Sequence, residues 1–235
     1  MPEERERLPH QQAAALPDLG PSPQYNYGGD SPGGTHSLLV SLIPSTATRV
    51  LDIGCASGYL GREVMRDRRC GVWGIDANPD SAAAARRAGY VDVVCADLDA
   101  LPALPWSEPF DAVLAGNILE HLRDPAAFLR RIRRVLSEDA LLIVALPNVA
   151  NLRVRLDLLR GRFDYTDTGI MDRTHLHLYT YRTARALLTE NEFLIKDEHA
   201  GSITFGRFLN SKVPGARRLQ PLLANTIIMR ASPRA

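Results

Sequence analysis

Arg49-Val-Leu-Asp-Ile-Gly-Cys-Ala-Ser-Gly-Tyr-Leu-Gly61 joins a buried-strand pattern to a glycine-bearing turn and then to a helix start. Val50, Leu51 and Ile53 form the apolar run of a strand. Gly54 and Gly58 let the chain turn sharply and approach a ligand, and Ser57 is placed to cap the helix that follows. Such a strand, loop and helix is the build of a nucleotide-type cofactor site. A dinucleotide fingerprint counted from Gly54 needs glycines at positions 56 and 59, where Ala56 and Tyr59 stand, and no Gly-Lys-Ser/Thr follows to hold a triphosphate.

Two further segments repeat the pattern of a strand ending in an acid. Gly71-Val-Trp-Gly-Ile-Asp76 ends about 20 residues past the loop, where a carboxylate accepts hydrogen bonds from both hydroxyls of a ribose. Capping of the next helix, over Ala77 to Arg87, is the structural alternative for Asp76. Val91-Asp-Val-Val-Cys-Ala-Asp97 ends in a third acid. Asp52, Asp76 and Asp97 on successive units are poorly explained as helix caps alone.

Outward from these segments, strand and helix patterns alternate from Thr35 onward, as a parallel sheet covered by helices requires. A lead helix over Thr35 to Leu42 precedes the strand Arg49 to Ile53. Helices over Ser57 to Asp67 and Pro79 to Ala88 connect the next two strands. Phe110 to Ala115 is a fourth strand, and Asp124 with Pro125 opens a helix reaching Leu136. Ala140 to Leu146 is a fifth strand, stopped by Pro147. After a long excursion, Ala184 to Asn191 is helical, and Phe193 to Lys196 and Thr226 to Met229 are the last two strands.

The 235 residues suffice for one well-buried core, and no internal repeat is evident. Residues 1–24 have the polarity and proline content of a disordered arm, so the folded domain is expected over 25–235. Lys and Arg number 28 against 27 Asp and Glu, a net charge of +1 with no basic block, which argues against a nucleic-acid partner. Cys55, Cys70 and Cys95 lack metal or redox spacing and fit a reduced, cytoplasmic protein. No run reaches the length of a membrane span. A homodimer is compatible with the sequence.

The loop from Asp52 to Gly58 resembles motif I of the class I S-adenosylmethionine (SAM) methyltransferases, and the resemblance covers roughly residues 25–232. Asn117-Ile-Leu-Glu-His-Leu-Arg-Asp-Pro125, Pro147-Asn-Val-Ala-Asn-Leu-Arg-Val-Arg155 and Asp172-Arg-Thr-His-Leu-His-Leu-Tyr-Thr180 are similar to a bacterial small-molecule subgroup often associated with glycosyltransferases. The resemblance implies an α/β fold with a seven-stranded, Rossmann-like sheet of order 3-2-1-4-5-7-6, its seventh strand antiparallel, helices on both faces and a small substrate cap over about 148–180. SAM is the implied cofactor. Its site is expected from Tyr27, Asp52, Gly54, Cys55, Ala56, Ser57, Gly58, Asp76, Ala77, Asp97, Leu98, Asn117 and Ile118, with Asp97 beside the adenine amino group. Ala56 replaces a glycine common in the family and is accommodated if its φ is negative.

Asn117, Ile118, Glu120 and His121 follow the fourth strand and are expected near the methionine half of the cofactor. A sulfonium already carries a good leaving group, so the protein has to align the reacting atoms, exclude water and take a proton from the acceptor. His121 suits the last task, and His175 is the reserve base. Tyr25 and Tyr27, in a glycine-rich segment that reaches His36, are expected to form a lid. The excursion after Pro147 is too long for an ordinary connection and reads as the substrate cap. There Val149, Leu152, Leu156 and Leu159 are expected to pack inward, leaving Asn151, Arg153, Arg155 and Arg160 outward. Asn148, Asn151, Asp172 and His177, with Tyr25, are the expected substrate contacts. On a strand, His175, His177 and Tyr179 would share one face. Asp172, His175 and His177 have ligand chemistry, but no fourth ligand is evident, so no metal is expected. The leading function is methylation of an oxygen, before nitrogen, on a polar small molecule such as a sugar or a glycosylated natural product. Phenol or quinone-ring methylation is one rival. A non-catalytic SAM-binding partner protein, similar to the methyltransferase-like family of methionine biosynthesis, is the other.

Overall fold

A computed structural model describes residues 34–203 and 216–234. In chain order these form α1 (Thr35–Leu42), β1 (Arg49–Ile53), α2 (Tyr59–Asp67), β2 (Gly71–Asp76), α3 (Pro79–Arg87), β3 (Asp92–Cys95), β4 (Phe110–Gly116), α4 (Pro125–Arg133), β5 (Leu136–Pro147), α5 (Leu152–Leu159), α6 (Tyr181–Glu190), β6 (Phe193–Ile203), α7 (Ala216–Leu223) and β7 (Ala224–Pro233). One seven-stranded sheet has the order β3-β2-β1-β4-β5-β7-β6, as expected. The first five strands are parallel, whereas β7 is antiparallel to both β5 and β6. Tyr25, Tyr27 and the expected arm over 1–24 lie outside the described residues.

Period-two alternation divides each strand between two cores. Val50, Val72, Ala112, Leu114 and Ile143 pack on one face with α1, α2 and α3 through Leu39, Val64 and Ala85. Leu51, Ile53, Val113, Leu142 and Val144 pack on the other with Phe128, Ile132, Ala184 and Leu188 of α4 and α6. Covering both faces explains why Val50 to Ile53 are all buried, Asp52 included. β1 lies between β2 and β4, so the chain leaves it in one direction for β2 and returns on its other side at β4. That reversal opens a crevice beyond the carboxyl ends of the two strands.

Several element boundaries differ from expectation for local reasons. The helix after the loop begins at Tyr59, with Gly58 as its N-cap and no side-chain cap, so Ser57 does not serve as one. Asn78, not Asp76, caps α3 by accepting from Ser81 N. Asp124 caps α4 as expected. β6 and β7 extend well past their apolar cores because their charges pair across the ladder. Arg230 bonds Asp197 on the neighbouring strand, so charged residues continue a strand that hydropathy alone would end.

Candidate active site

Three left-handed residues shape the loop after β1: Gly54 at φ +68°, Ala56 at +46° and Gly58 at +82°. Ala56 therefore does not have the negative φ expected of it. The backbone amide of Ala56 is held by Asp76 Oδ2 at 2.8 Å, which supports the conformation. Gly54 and Cys55 both donate to the Ile75 carbonyl, so the loop is anchored on the end of β2. A Cβ on Gly54 would sit 2.9 Å from Ile118 Cδ1, so the glycine lets the β4 segment cross the loop closely.

Beneath the loop, Asp52 is 2% exposed and accepts a 2.6 Å hydrogen bond from the Tyr90 hydroxyl. That hydroxyl also accepts from Gly61 N. Burial raises Asp52 to about 7, opposed by the Tyr90 hydrogen bond and reinforced by the negative charge of Asp76. Burial raises Asp76 too, against hydrogen bonds from Asn78 N and Ala56 N. Tyr90 was not anticipated from the sequence. Its ring fills the space that glycine leaves at position 61, where a Cβ would meet its hydroxyl at 2.2 Å. The clue is a tyrosine between a helix and a buried strand, whose hydroxyl must find a partner.

The crevice between β1 and β4 is lined by Asp52, Gly54, Cys55, Ala56, Ser57 and Asn117, all expected there, and by His36, Leu39, Tyr59, Leu60 and Gly116. His36 meets Tyr59 edge-on with ring centroids 5.6 Å apart. Asn117 has φ +53° and donates its amide to Ala145, which turns the chain sharply at the end of β4. Asp76, at the end of β2, is not itself among the lining residues but is bonded to the loop through Ala56 N. Its oxygens accept from Ala56 and Asn78, and a carboxylate has further lone pairs for a ligand. Ala77 follows it, with a carbonyl that accepts from Cys95 Sγ. Asp97 accepts from Asp99 N, while Leu98 is 6% exposed, its side chain in the core and its carbonyl bound by Arg131.

Three residues past Asn117 a second polar group forms. Glu120 is 0% exposed, and burial, aided by Asp172, raises it to about 8. Burial and then the neighbouring His175 lower His121, against the Thr174 carbonyl and Asp172. The rings of His121 and His175 are 4.9 Å apart, edge to face. Burial alone would raise Asp172, but hydrogen bonds from Thr174 N and Oγ1, with the two histidines, outweigh it and hold the carboxyl low. Burial, then Glu120, pushes the Tyr179 hydroxyl up.

The cap differs from expectation. His175, His177 and Tyr179 do not lie on a continuous strand: the chain bends there, with one isolated bridge from Tyr179 to Asn148. Leu176 N and His177 N both donate to the Glu120 carbonyl, which draws the histidine loop onto the segment after β4. Asn148 and Asn151, expected as acceptor contacts, are buried with their side-chain amides bonded to the chain. Asn148 Nδ2 donates to the carbonyls of Pro221 and Ala224, and Asn151 caps α5 while donating to Leu223, Ala224 and Asn225. These bonds tie the cap to β7. The face of α5 is also not the expected one, since Val154 is buried and Leu159 is 83% exposed. The expected ligand trio of Asp172, His175 and His177 is not brought together; Glu120, His121 and His175 are.

Residues 5–196 match a family described as a methyltransferase domain, and the chain belongs to it. It is a class I SAM-dependent methyltransferase in family and fold, with SAM as its cofactor. Over 104 residues it is 38% identical to a probable S-adenosylmethionine-dependent methyltransferase of Mycobacterium tuberculosis, covering 44% of this chain and 37% of that protein. Over 110 residues it is 32% identical to a ubiquinone biosynthesis O-methyltransferase of Xylella fastidiosa, covering 45% and 44%. The chain thus spans less than half the length of these curated relatives. The fold is shared with an S-adenosylmethionine-dependent methyltransferase from Mesorhizobium loti at a TM-score of 0.59 and 19% identity, over 83% of this chain and 95% of that one. No helix among the described residues is long and apolar enough to cross a membrane.

Proposed function

We propose that this protein transfers the methyl group of SAM to an oxygen of a small-molecule acceptor. In this reading the acceptor hydroxyl attacks the methyl carbon in line with the departing sulfur, which keeps the bonding pair and leaves as S-adenosylhomocysteine. The hydroxyl proton goes to a base, with His121 the first choice. The observation that carries the reading is the position of Glu120 and His121 directly after Asn117, which lines the cofactor crevice, with His175 of the cap brought against His121. Burial that lowers His121 keeps its imidazole neutral and able to accept a proton near pH 7. A cofactor wall and a proton acceptor on one short segment suit transfer to a hydroxyl.

Two acceptor classes fit. A polar acceptor such as a sugar is favoured by the arginines and histidines around the cap. A phenol or quinone ring is favoured by the ubiquinone-pathway relative and by the exposed Leu156, Leu158, Leu159 and Phe163. The test is methyl transfer from isotopically labelled SAM to a panel of sugars, glycosides, catechols and hydroxyquinones, read by mass spectrometry. Product from the sugars or glycosides selects the first class, and product from the aromatic compounds alone selects the second. SAM binding with no product from any acceptor would favour the non-catalytic partner reading.

A further inference from the structure

Glu120 is fully buried, and neither carboxylate oxygen has a hydrogen-bond partner among the described residues. Burying a carboxylate without partners is costly, and native proteins offset it by protonation, a counter-charge or a metal ion. Around it, one donor atom each from Glu120, His121 and His175 lies within 4.8 Å of the other two. Both imidazoles are held from behind. His121 Nδ1 is 3.2 Å from the Thr174 carbonyl, and His175 Nδ1 is 3.1 Å from the Ile170 carbonyl. A carbonyl can only accept, so each Nδ1 carries the hydrogen and each Nε2 keeps its lone pair. Thr174 is in turn fixed by Asp172 through its amide and hydroxyl. Support of this kind orients metal-binding histidines and fixes their tautomer.

We propose that Glu120, His121 and His175 bind one divalent first-row transition-metal ion. Two imidazoles and a carboxylate suit zinc, cobalt, manganese or ferrous iron, whereas magnesium and calcium prefer all-oxygen sets. Bonds of about 2.1 Å place neighbouring ligand atoms roughly 3 to 3.5 Å apart, so the three side chains draw in by about an ångström on binding. Three protein ligands leave positions open for a small molecule. Resting on the O-methyl transfer proposed above, an acceptor hydroxyl bound there would release its proton more readily, and its oxygen would then take the methyl. His121 in that loaded state is a ligand, and the proton passes to solvent.

The test uses the full chain, stripped with a chelator and titrated with Co²⁺ alone, followed by equilibrium dialysis and by the visible absorption of nitrogen-coordinated cobalt. One Co²⁺ per chain is expected. Glu120→Gln and His175→Ala should each weaken binding by about tenfold or more, with His199→Ala, on β6, unchanged. Circular dichroism confirms folding, and if one variant fails to fold the other decides. No stoichiometric binding to the unaltered chain overturns the proposal, as does full binding by both folded variants. Calorimetry with SAM on the same sample keeps the two readings apart. Lost Co²⁺ binding with SAM binding intact removes the metal site alone, and the converse removes the cofactor reading alone.

Discussion

Tyr90→Phe removes one hydroxyl and leaves two buried groups short of a partner, the Asp52 carboxylate and the Gly61 amide. At pH 5 Asp52 is protonated in the folded chain, so the loss is of ordinary neutral hydrogen bonds and should cost about 1 to 2 kcal/mol. Above its folded pKa of about 7 the carboxylate is ionised, and the lost bond is charge-assisted, roughly twice as strong. The sign follows from linkage. Asp52 ionises more easily unfolded, from 3.8, than folded, so it withdraws stability as pH rises from about 4, and the loss levels off beyond about 7. Tyr90 lowers the folded value; without it that value rises, and the variant keeps losing stability above pH 7 where the parent has levelled off. Each unit of further rise adds about 1.4 kcal/mol, so the total deficit should reach about 3 to 4 kcal/mol near pH 9. Urea unfolding of both proteins at pH 5, 7 and 9 measures it. A deficit that stays the same across that range, or falls below about 0.5 kcal/mol throughout, would refute the role given to this pair.

Asp76→Ala should weaken SAM binding in calorimetry by about 1 to 3 kcal/mol, because it removes ribose acceptors and frees the Ala56 amide; equal affinity would take Asp76 out of the site. Gly54→Ala should destabilise the fold by about 1 to 3 kcal/mol and reduce SAM affinity, since φ is +68° and the new methyl would crowd Ile118; thermal and chemical unfolding that match the parent would contradict the crossing. His121→Ala should lower single-turnover methyl transfer by about a hundredfold or more with SAM affinity nearly unchanged, whereas near-normal turnover would pass the proton-accepting role to His175 or dispense with it.

The loop after β1 is legible because it depends on short-range pattern: an apolar run, glycines where the chain turns sharply, and acids at strand ends; the strand order is a long-range property that only the family resemblance implied. The outer strands were read too short because Asp197 and Arg230 look like loop residues until they are placed opposite each other. The bonding of Asn148 and Asn151 is hidden in the sequence for a related reason. A polar side chain in a long connection looks available for a ligand, and only the return of β7 shows that backbone carbonyls consume its hydrogen bonds. Tyr90 was invisible because its partner Asp52 is 38 residues away in sequence. The α5 face failed because helical spacing fixes which residues share a side but not which side meets the protein, and here Val154 faces inward.

The stitching of Leu176 N and His177 N to the Glu120 carbonyl has a kinetic side. At a net contribution of about 1 kcal/mol each, two such bonds act as a latch worth roughly thirtyfold in favour of the shut loop, before the contact between the two histidine rings is counted. At that ratio the loop is open in only a few per cent of molecules. If the proposed acceptor enters beside it, removing either bond would raise the open fraction, and substitutions along residues 174–178 would change the rate of product release.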